Sequence, residues 1–226
     1  MSTTPRAARR VLFDVDGTLI DALANQRRVW HAWAAPHGLD GEAVYRTALR
    51  TRPLETFAEV APGLDPAACL AAFHALEDED VRTGTYAAFD GAADLLRALP
   101  AGAWALVTSN YEHRVRGRFA RTGLPLPEVL VDAAAVPEGK PSPVPYLRAA
   151  ELLAADPRDC LVVEDTASGA AAGVRAGMTV WTVNAPDPVP GAHRHFASLR
   201  DAAPQILEFA ARSAPDAARV PGCPPD

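Results

Sequence analysis

The sequence has little lysine, no paired cysteines and no long apolar run. Cys69, Cys160 and Cys223 lie far apart and form no CxxC pair, so we expect reduced, structural thiols rather than a disulfide framework or a zinc site. No stretch approaches the roughly 20 apolar residues that span a bilayer, and the N-terminal residues show no apolar signal region. We therefore expect a soluble, cytoplasmic protein without a membrane partner.

Positive charge is also scarce. The 226 residues include 28 acidic and 22 basic side chains, which give a formal net charge of -6. This balance argues against nucleic acid as a partner, whereas a small anionic ligand held by a few local groups is compatible with it. The hydrophobic content of 49% is enough for one or two domains. We expect a monomer or a weak homodimer.

Of the basic residues only Lys140 is a lysine. The composition replaces lysine with arginine almost everywhere, and Lys140 stands in a Gly-Lys-Pro turn. A compact ammonium on a flexible stem performs tasks that a planar guanidinium performs poorly. Lys140 is therefore a candidate functional residue.

Short apolar runs alternate with helical stretches along most of the chain. The runs are too short for helices and are continuous rather than alternating, which is typical of strands buried on both faces. This order predicts an α/β, Rossmann-like fold with right-handed crossovers and a doubly wound parallel sheet. The predicted strands are 11–13, 103–107, 129–131, 161–163 and 179–183, and the predicted helices are 90–99, 112–122, 143–155, 168–176 and 199–212.

Residues 21–85 interrupt this alternation and contain no convincing strand. Pro, Gly and Asp residues divide them into four predicted helices, at 22–36, 41–49, 54–60 and 66–81. We expect Trp30 and Trp33, three residues apart on the first helix, to pack in the interior. The predicted organisation is an α/β core of residues 10–20 and 86–212, an inserted helical cap of residues 21–85, and flexible ends at 1–9 and 213–226.

Polar residues follow four of the predicted strands. Ligands bind beyond the carboxyl ends of the strands in an open parallel sheet. Acids gathered there repel one another unless a cation offsets their charge, and carboxylate oxygens suit Mg²⁺. The residues in question are Asp14 and Asp16 after the first strand, Thr108, Ser109 and Asn110 after the second, Lys140 after the third, and Glu164 and Asp165 after the fourth.

Four motifs resemble those of the haloacid dehalogenase superfamily, in the branch of phosphotransferases with a helical cap after the first motif. They are FDVDGTL at 13–19, VTSN at 107–110, GKPSPVPY at 139–146 and VVEDTASGAAAGVRAGM at 162–178. The resemblance covers residues 11–183, with the motifs in the family's order. It implies a Mg²⁺-dependent phosphomonoester hydrolase that acts on a small phosphorylated sugar, polyol or related metabolite.

The resemblance assigns catalytic roles to the first motif. Asp14 corresponds to the nucleophile that forms an aspartyl-phosphate. Asp16 corresponds to the general acid for the leaving alcohol and then the base for water. Dehalogenases lack this second acid, so Asp16 favours phosphoryl transfer. The family's metal ligands correspond to the Asp14 side chain, the Asp16 backbone carbonyl and Asp165, with Glu164 either behind these ligands or contributing through water.

The remaining motifs correspond to phosphate-binding groups. Lys140 is expected to contact both the phosphate and Asp14, and Gly17 and Thr18 lie in a turn that exposes backbone donors. The family's phosphate-binding positions after the second strand are Thr108, Ser109 and Asn110.

Substrate choice is expected to depend on the cap, which closes over the leaving group. Arg52 matches a substrate-facing arginine of phosphosugar and polyol phosphate relatives better than Arg50 does, and a solvated surface arginine is the alternative for either. The neighbouring His-Gly of the sugar and glycerol phosphatases is replaced here by Leu49-Arg50.

Other functions stay open at this point. Gln26 stands where β-phosphoglucomutases carry a cap histidine, which counts against a phosphomutase, and a phosphoglycolate-type phosphatase is a further alternative. Outside enzymes, a phosphoacceptor module or a catalytically silent binding protein could use this fold. The histidines receive no functional role: His37 and His74 are expected to be ordinary cap residues, and His193 and His195 to lie in a solvated loop.

Overall fold

The computed structural model describes residues 9–49 and 51–212. Arg50, Cys223 and all but Arg9 of the predicted flexible ends lie outside this part. The strands are β1 (Arg10–Phe13), β2 (Ile20–Asp21), β3 (Ala87–Ala88), β4 (Trp104–Val107), β5 (Val129–Val131), β6 (Cys160–Glu164), β7 (Thr179–Thr182) and β8 (Arg194–His195). The helices are α1 (Leu23–Ala34), α2 (Gly41–Ala48), α3 (Pro53–Val60), α4 (Pro66–Thr83), α5 (Ala92–Ala98), α6 (Glu112–Thr122), α7 (Val144–Leu152), α8 (Ala167–Arg175) and α9 (Leu199–Ala211).

Six strands form one parallel sheet in the order β5-β4-β1-β6-β7-β8. The central strand β1 pairs with β4 and β6, so that Phe13 lies opposite Leu106 and Val163. Apolar runs buried on both faces favour this arrangement, and all five predicted strands are confirmed. The sixth strand, β8, was not predicted because its two residues carry no apolar pattern.

Helices cover both faces of the sheet, and successive residues of β1 point to opposite faces. Val11 and Phe13 pack into a cluster with residues of α5 and α9, while Leu12 packs into a cluster with residues of α7 and α8. The period of two along a strand explains this division. The predicted doubly wound α/β fold is confirmed.

The four predicted helices of the cap form as α1 to α4, with ends that differ from the prediction by a few residues. They share a hydrophobic cluster of their own, in which Trp33 stacks on Phe57 with ring centroids 4.6 Å apart and Trp30 lies 4.2 Å from Phe73. The interior packing of Trp30 and Trp33 is thus confirmed.

None of the helices in residues 9–49 and 51–212 has the length and apolar character that a membrane span requires.

The two chain segments that flank α1 to α4 pair with each other as a small antiparallel ribbon, in which Ile20 of β2 lies opposite Ala88 of β3. Asp80, near the end of α4, lies beside this ribbon. Its carboxylate accepts hydrogen bonds from Asn25 Nδ2 at 2.9 Å, from the Tyr86 hydroxyl and from the Arg28 guanidinium. A partly buried polar network, which the sequence pattern does not predict, therefore lies beside the ribbon.

Helix α4 also contacts α6 through Arg114. This buried guanidinium donates to Glu77, to Asp78 Oδ1 at 2.5 Å and to the carbonyl of His74 at 3.2 Å. Burial raises the pKa of Glu77 to about 7, although the charge of Arg114 opposes the shift. The contact therefore brings a mostly buried carboxyl group of α4 against a buried guanidinium of α6.

Candidate active site

Three acids meet at the carboxyl ends of β1 and β6. Asp14 directly follows β1, Glu164 ends β6, and Asp165 comes next in the chain. Because these strands are parallel neighbours, each acid can offer one oxygen to a cluster in which all three atoms lie within 4.8 Å of one another. Residues of the first and the fourth motif therefore meet in one compact pocket lined by acids.

Lys140 enters this pocket from the loop after β5. Its Nζ donates to Asp14 Oδ1 and to Glu164 Oε1, both at 2.6 Å, and to the carbonyl of Val107 at 3.0 Å. The three donors of the ammonium are all engaged. The Tyr146 hydroxyl also donates to Glu164 Oε1 at 3.0 Å, so the lysine is fixed in a buried network.

Burial and mutual repulsion shift the pKa values of the acids. Burial raises the pKa of Asp14 to about 7 against the charge of Lys140, and burial with the charges of Asp14 and Glu164 raises that of Asp165 to about 9. At Glu164, burial is outweighed by the charge and hydrogen bond of Lys140, which lower the pKa. One ammonium therefore does not balance three clustered carboxylates.

The donor set fits a hard divalent cation. Such ions bind carboxylate oxygens, and a second positive charge would offset the repulsion that raises the pKa of Asp165. The turn after β1 leaves room for Asp165: Gly17 has a φ of +95°, and a β-carbon there would overlap the Asp165 carboxylate. Thr18 Oγ1 donates to Asp165 Oδ1 at 3.3 Å. The glycine of the first motif is thus required by both conformation and space.

The structure places Glu164 in the same cluster as the two predicted metal-binding side chains, whereas the Asp16 carboxylate has different partners. Both Asp16 oxygens accept from Nη1 of Arg118, and Oδ2 lies 3.5 Å from Nδ2 of Asn110. Arg118 lies on the buried face of α6. The sequence motifs do not include it, although its place three residues after Val115 and next to Phe119 puts it on the apolar face of the helix.

The residues after β4 lie at the same edge. Thr108 is buried, and its hydroxyl accepts from the backbone N–H of Asn110 at 3.0 Å. Ser109 is exposed between them. The Val107 carbonyl that Lys140 binds directly precedes this turn, so the second and third motifs meet at the pocket.

Arg52 joins the cap to the pocket. It is the first residue before α3, and its Nη2 donates to the carbonyls of Gly139 at 3.2 Å and Lys140 at 3.0 Å. The predicted cap arginine therefore contacts the backbone of the lysine loop.

The histidines have structural contacts. His37 packs on Trp33 with ring centroids 4.9 Å apart, and His74 packs edge-on against a tyrosine of the core. His193 Nδ1 accepts from a backbone N–H of β7 at 3.0 Å, and His195 Nδ1 lies 3.1 Å from a threonine hydroxyl of the same strand. The last two thus lie at the edge of the sheet rather than in a purely solvated loop.

Comparison with known proteins agrees with these motifs. Hexitol phosphatase A of Escherichia coli (strain K12) is 41% identical over 182 residues, which are 79% of this chain and 84% of that protein. A phosphoglycolate phosphatase of Xylella fastidiosa (strain 9a5c) is 32% identical over 182 residues, covering 75% of this chain and 77% of the relative.

Solved structures share the fold. The crystal structure of CbbY from Rhodobacter sphaeroides in complex with phosphate superposes with a TM-score of 0.74 at 25% identity, covering 86% of this chain and 96% of that one. The sequence model of the haloacid dehalogenase-like hydrolases matches residues 8–177. With the acids and the lysine of its motifs gathered at one sheet edge, the chain belongs to the haloacid dehalogenase-like hydrolase family.

Proposed function

We propose that this hydrolase is a Mg²⁺-dependent phosphomonoester hydrolase that forms an aspartyl-phosphate on Asp14. The observation that carries the proposal is the position of the Lys140 ammonium, 2.6 Å from Asp14 Oδ1 inside a cluster of three acids. An anionic nucleophile that attacks an anionic phosphate needs nearby positive charge, because repulsion otherwise dominates the barrier. Lys140 is a fixed source of that charge.

The proposed reaction has two displacements. A carboxylate oxygen of Asp14 attacks phosphorus, the bond from phosphorus to the substrate oxygen breaks, and Asp16 gives its proton to the leaving alcohol. Asp16 then takes a proton from water, the water oxygen attacks phosphorus, and the bond to Asp14 breaks. Inorganic phosphate leaves and both aspartates return to their starting states.

The remaining residues of the pocket bind and orient the phosphate. Lys140 neutralises charge between Asp14 and the phosphate, and Thr108, Ser109 and Asn110 donate to phosphate oxygens. Mg²⁺ would be held by the Asp14 side chain, the Asp16 backbone carbonyl and Asp165, with Glu164 beside them. Its chemistry there is charge neutralisation and orientation of the phosphoryl group.

The proposed substrate class is a small polyol or sugar phosphate. The named activity of the hexitol phosphatase relative supports this class, as does the position of Arg52 beside the pocket.

We further propose that residues 21–85 act as a cap over a core of residues 10–20 and 86–212. The described cysteines, Cys69 and Cys160, are buried free thiols, which fits a cytoplasmic location.

The test is release of inorganic phosphate from a broad panel of metabolite phosphates and from p-nitrophenyl phosphate. We expect turnover with Mg²⁺, loss of turnover on chelation, and loss in Asp14→Asn with the fold retained by circular dichroism. No turnover of any compound would contradict the proposal and favour a silent binding protein.

Product analysis separates the remaining alternatives. A phosphoacceptor module would acquire a phosphoryl group on the Asp14 peptide without repeated turnover, and a phosphomutase would return an isomeric sugar phosphate instead of inorganic phosphate. Gln26, on α1 of the cap, stands where the mutases carry a histidine, and we therefore expect inorganic phosphate.

A further inference from the structure

The two carboxylates of the first motif have different cationic partners. Lys140 holds Asp14, whereas Arg118 holds Asp16 through Nη1, which donates to both carboxylate oxygens. We propose that Arg118 is a positioning residue that fixes the direction of the Asp16 side chain for proton transfer to the leaving group: when Asp16 is protonated, one carboxyl oxygen still accepts from Nη1 and the other carries the proton that is transferred. This inference rests on the proposed function, because it takes Asp16 as the acid of the first displacement.

The geometry of the pair is restrictive. The side chains of Arg118 and Asp16 are only 4% and 14% exposed, so water replaces neither partner freely. Asn110, a second hydrogen-bond donor near the carboxylate, lies at the limit of hydrogen-bond distance. The direction of the Asp16 carboxylate is therefore set mainly by the arginine.

Stability alone does not account for a guanidinium at this position. Desolvation of a buried ion pair commonly cancels its Coulombic gain, and a well-packed apolar side chain is often as stable. Within the part of the chain that the structure describes, the buried Nε of Arg118 also has no hydrogen-bond acceptor. An incompletely satisfied buried arginine whose charge is directed at a motif carboxylate points to a role at that carboxylate.

The arginine is itself held in place by Tyr86, which directly precedes β3. Its guanidinium carbon lies 5.3 Å from the centroid of the Tyr86 ring, a cation–π contact. The Tyr86 hydroxyl donates to Asp80, which also accepts from Asn25 on α1. The support of Arg118 thus reaches both α1 and α4, the first and the last helix of the proposed cap.

A positioning role has a kinetic signature. A general acid helps most when the leaving alkoxide is a strong base and least when it is stabilised, as in p-nitrophenolate. The kcat/KM for phosphate release reports the first displacement, in which Asp16 is the acid. Misdirection of Asp16 should therefore lower kcat/KM steeply for poor leaving groups and little for good ones.

The experiment measures phosphate release from p-nitrophenyl phosphate, phenyl phosphate and glycerol 1-phosphate by the full-length protein with Mg²⁺. For Arg118→Gln we expect a loss in kcat/KM of about 10- to 100-fold for phenyl and glycerol phosphates, and a much smaller loss for p-nitrophenyl phosphate. Arg118→Lys should recover part of the loss. The control is Arg116→Gln, which changes an exposed arginine of the same helix and should leave all three values unchanged.

If Arg118→Gln does not fold, Tyr86→Leu takes its place in the experiment. This substitution removes the ring that packs on the Arg118 guanidinium and keeps the ion pair between Arg118 and Asp16. We expect a weaker change with the same dependence on the leaving group. An equal loss for all three esters in the folded variants would overturn the inference and leave the proposed function intact. If the wild-type protein hydrolyses none of the esters and no compound of the metabolite panel, both the proposed function and the inference are wrong.

Discussion

Gly169 lies so close to Glu164 that a β-carbon at this position would overlap the carboxylate oxygens. The carboxylate folds back over the start of α8, where Oε2 accepts from the backbone N–H groups of Asp165 and Thr166 at 3.0 Å. Its other oxygen binds Lys140. The absence of a side chain at Gly169 therefore leaves room for Glu164, and Glu164 in turn holds Lys140.

We expect Gly169→Ala to displace Glu164 and release one anchor of Lys140. Overpacking of this kind costs about 1–3 kcal/mol, and turnover should fall because the ammonium is no longer fixed beside Asp14. Urea unfolding and kcat measure the two effects. Gly63→Ala is the control, since a β-carbon there meets no atom within 4 Å. A variant with wild-type stability and turnover would show that the Glu164 position does not matter.

The sequence predicted most of the fold because the parallel strands are continuous apolar runs. β1, β4 and β6 are buried on both faces, and this burial is what their pattern encodes. The two-residue strands β2, β3 and β8 were missed, because two residues carry no period. Their pairing is set by the elements they connect.

The site likewise contains residues that a sequence motif identifies and residues that only their contacts identify. Lys140 could be identified as the one lysine of the chain within a motif, and the structure brings it to Asp14. Arg118 and Tyr86 lie outside the motifs, and their significance depends on contacts with residues distant in sequence. Arginine is common in this composition, so its type gave no signal.

Metal binding should be visible as stabilisation. Asp165 adds a third carboxylate to a pocket with one ammonium, and relief of this repulsion by Mg²⁺ should raise the melting temperature. We expect Asp165→Asn to be more stable than the wild type without metal, by at least about 1 kcal/mol, to lose the Mg²⁺-dependent rise and to be inactive. Thermal unfolding with and without Mg²⁺ measures both effects.

The control for that experiment is Asp187→Asn, which removes a charge from an exposed position and should retain the rise. If Asp165→Asn keeps a full response to Mg²⁺, the cation is bound elsewhere.

Glu77, a mostly buried acid of α4, should make stability depend on pH. The folded pKa of Glu77, about 7, lies above its usual 4.5 because of burial. Between these values the folded state binds more protons than the unfolded state, so this residue lowers stability as the pH rises from 4.5 to 7. The stability of Glu77→Gln relative to the wild type should therefore increase by roughly 2–3 kcal/mol from pH 5 to pH 8.

Urea unfolding at both pH values measures the difference. Glu79→Gln, on the same helix but half exposed and paired with Arg82, is the matched control and should show little change with pH. An equal stability difference at pH 5 and pH 8 for Glu77→Gln would mean that the Arg114 contact keeps Glu77 ionised in this range.

Arg52 should affect substrate choice more than the chemical step. Its guanidinium reaches the carbonyls of Gly139 and Lys140 from the cap, beside the pocket rather than inside the acid cluster. With Arg52→Ala we expect kcat/KM for polyol phosphates to fall about tenfold or more, the size of a lost charged hydrogen bond, while the kcat for p-nitrophenyl phosphate changes little.

Arg52→Lys should restore less than the full preference, because an ammonium does not reproduce the planar fork of the guanidinium. Arg46→Ala, at an exposed position of α2, should leave the profile unaltered. If Arg52→Ala leaves the order of substrates across the panel unchanged, then Arg52 only fastens the cap to the lysine loop and another residue selects the substrate.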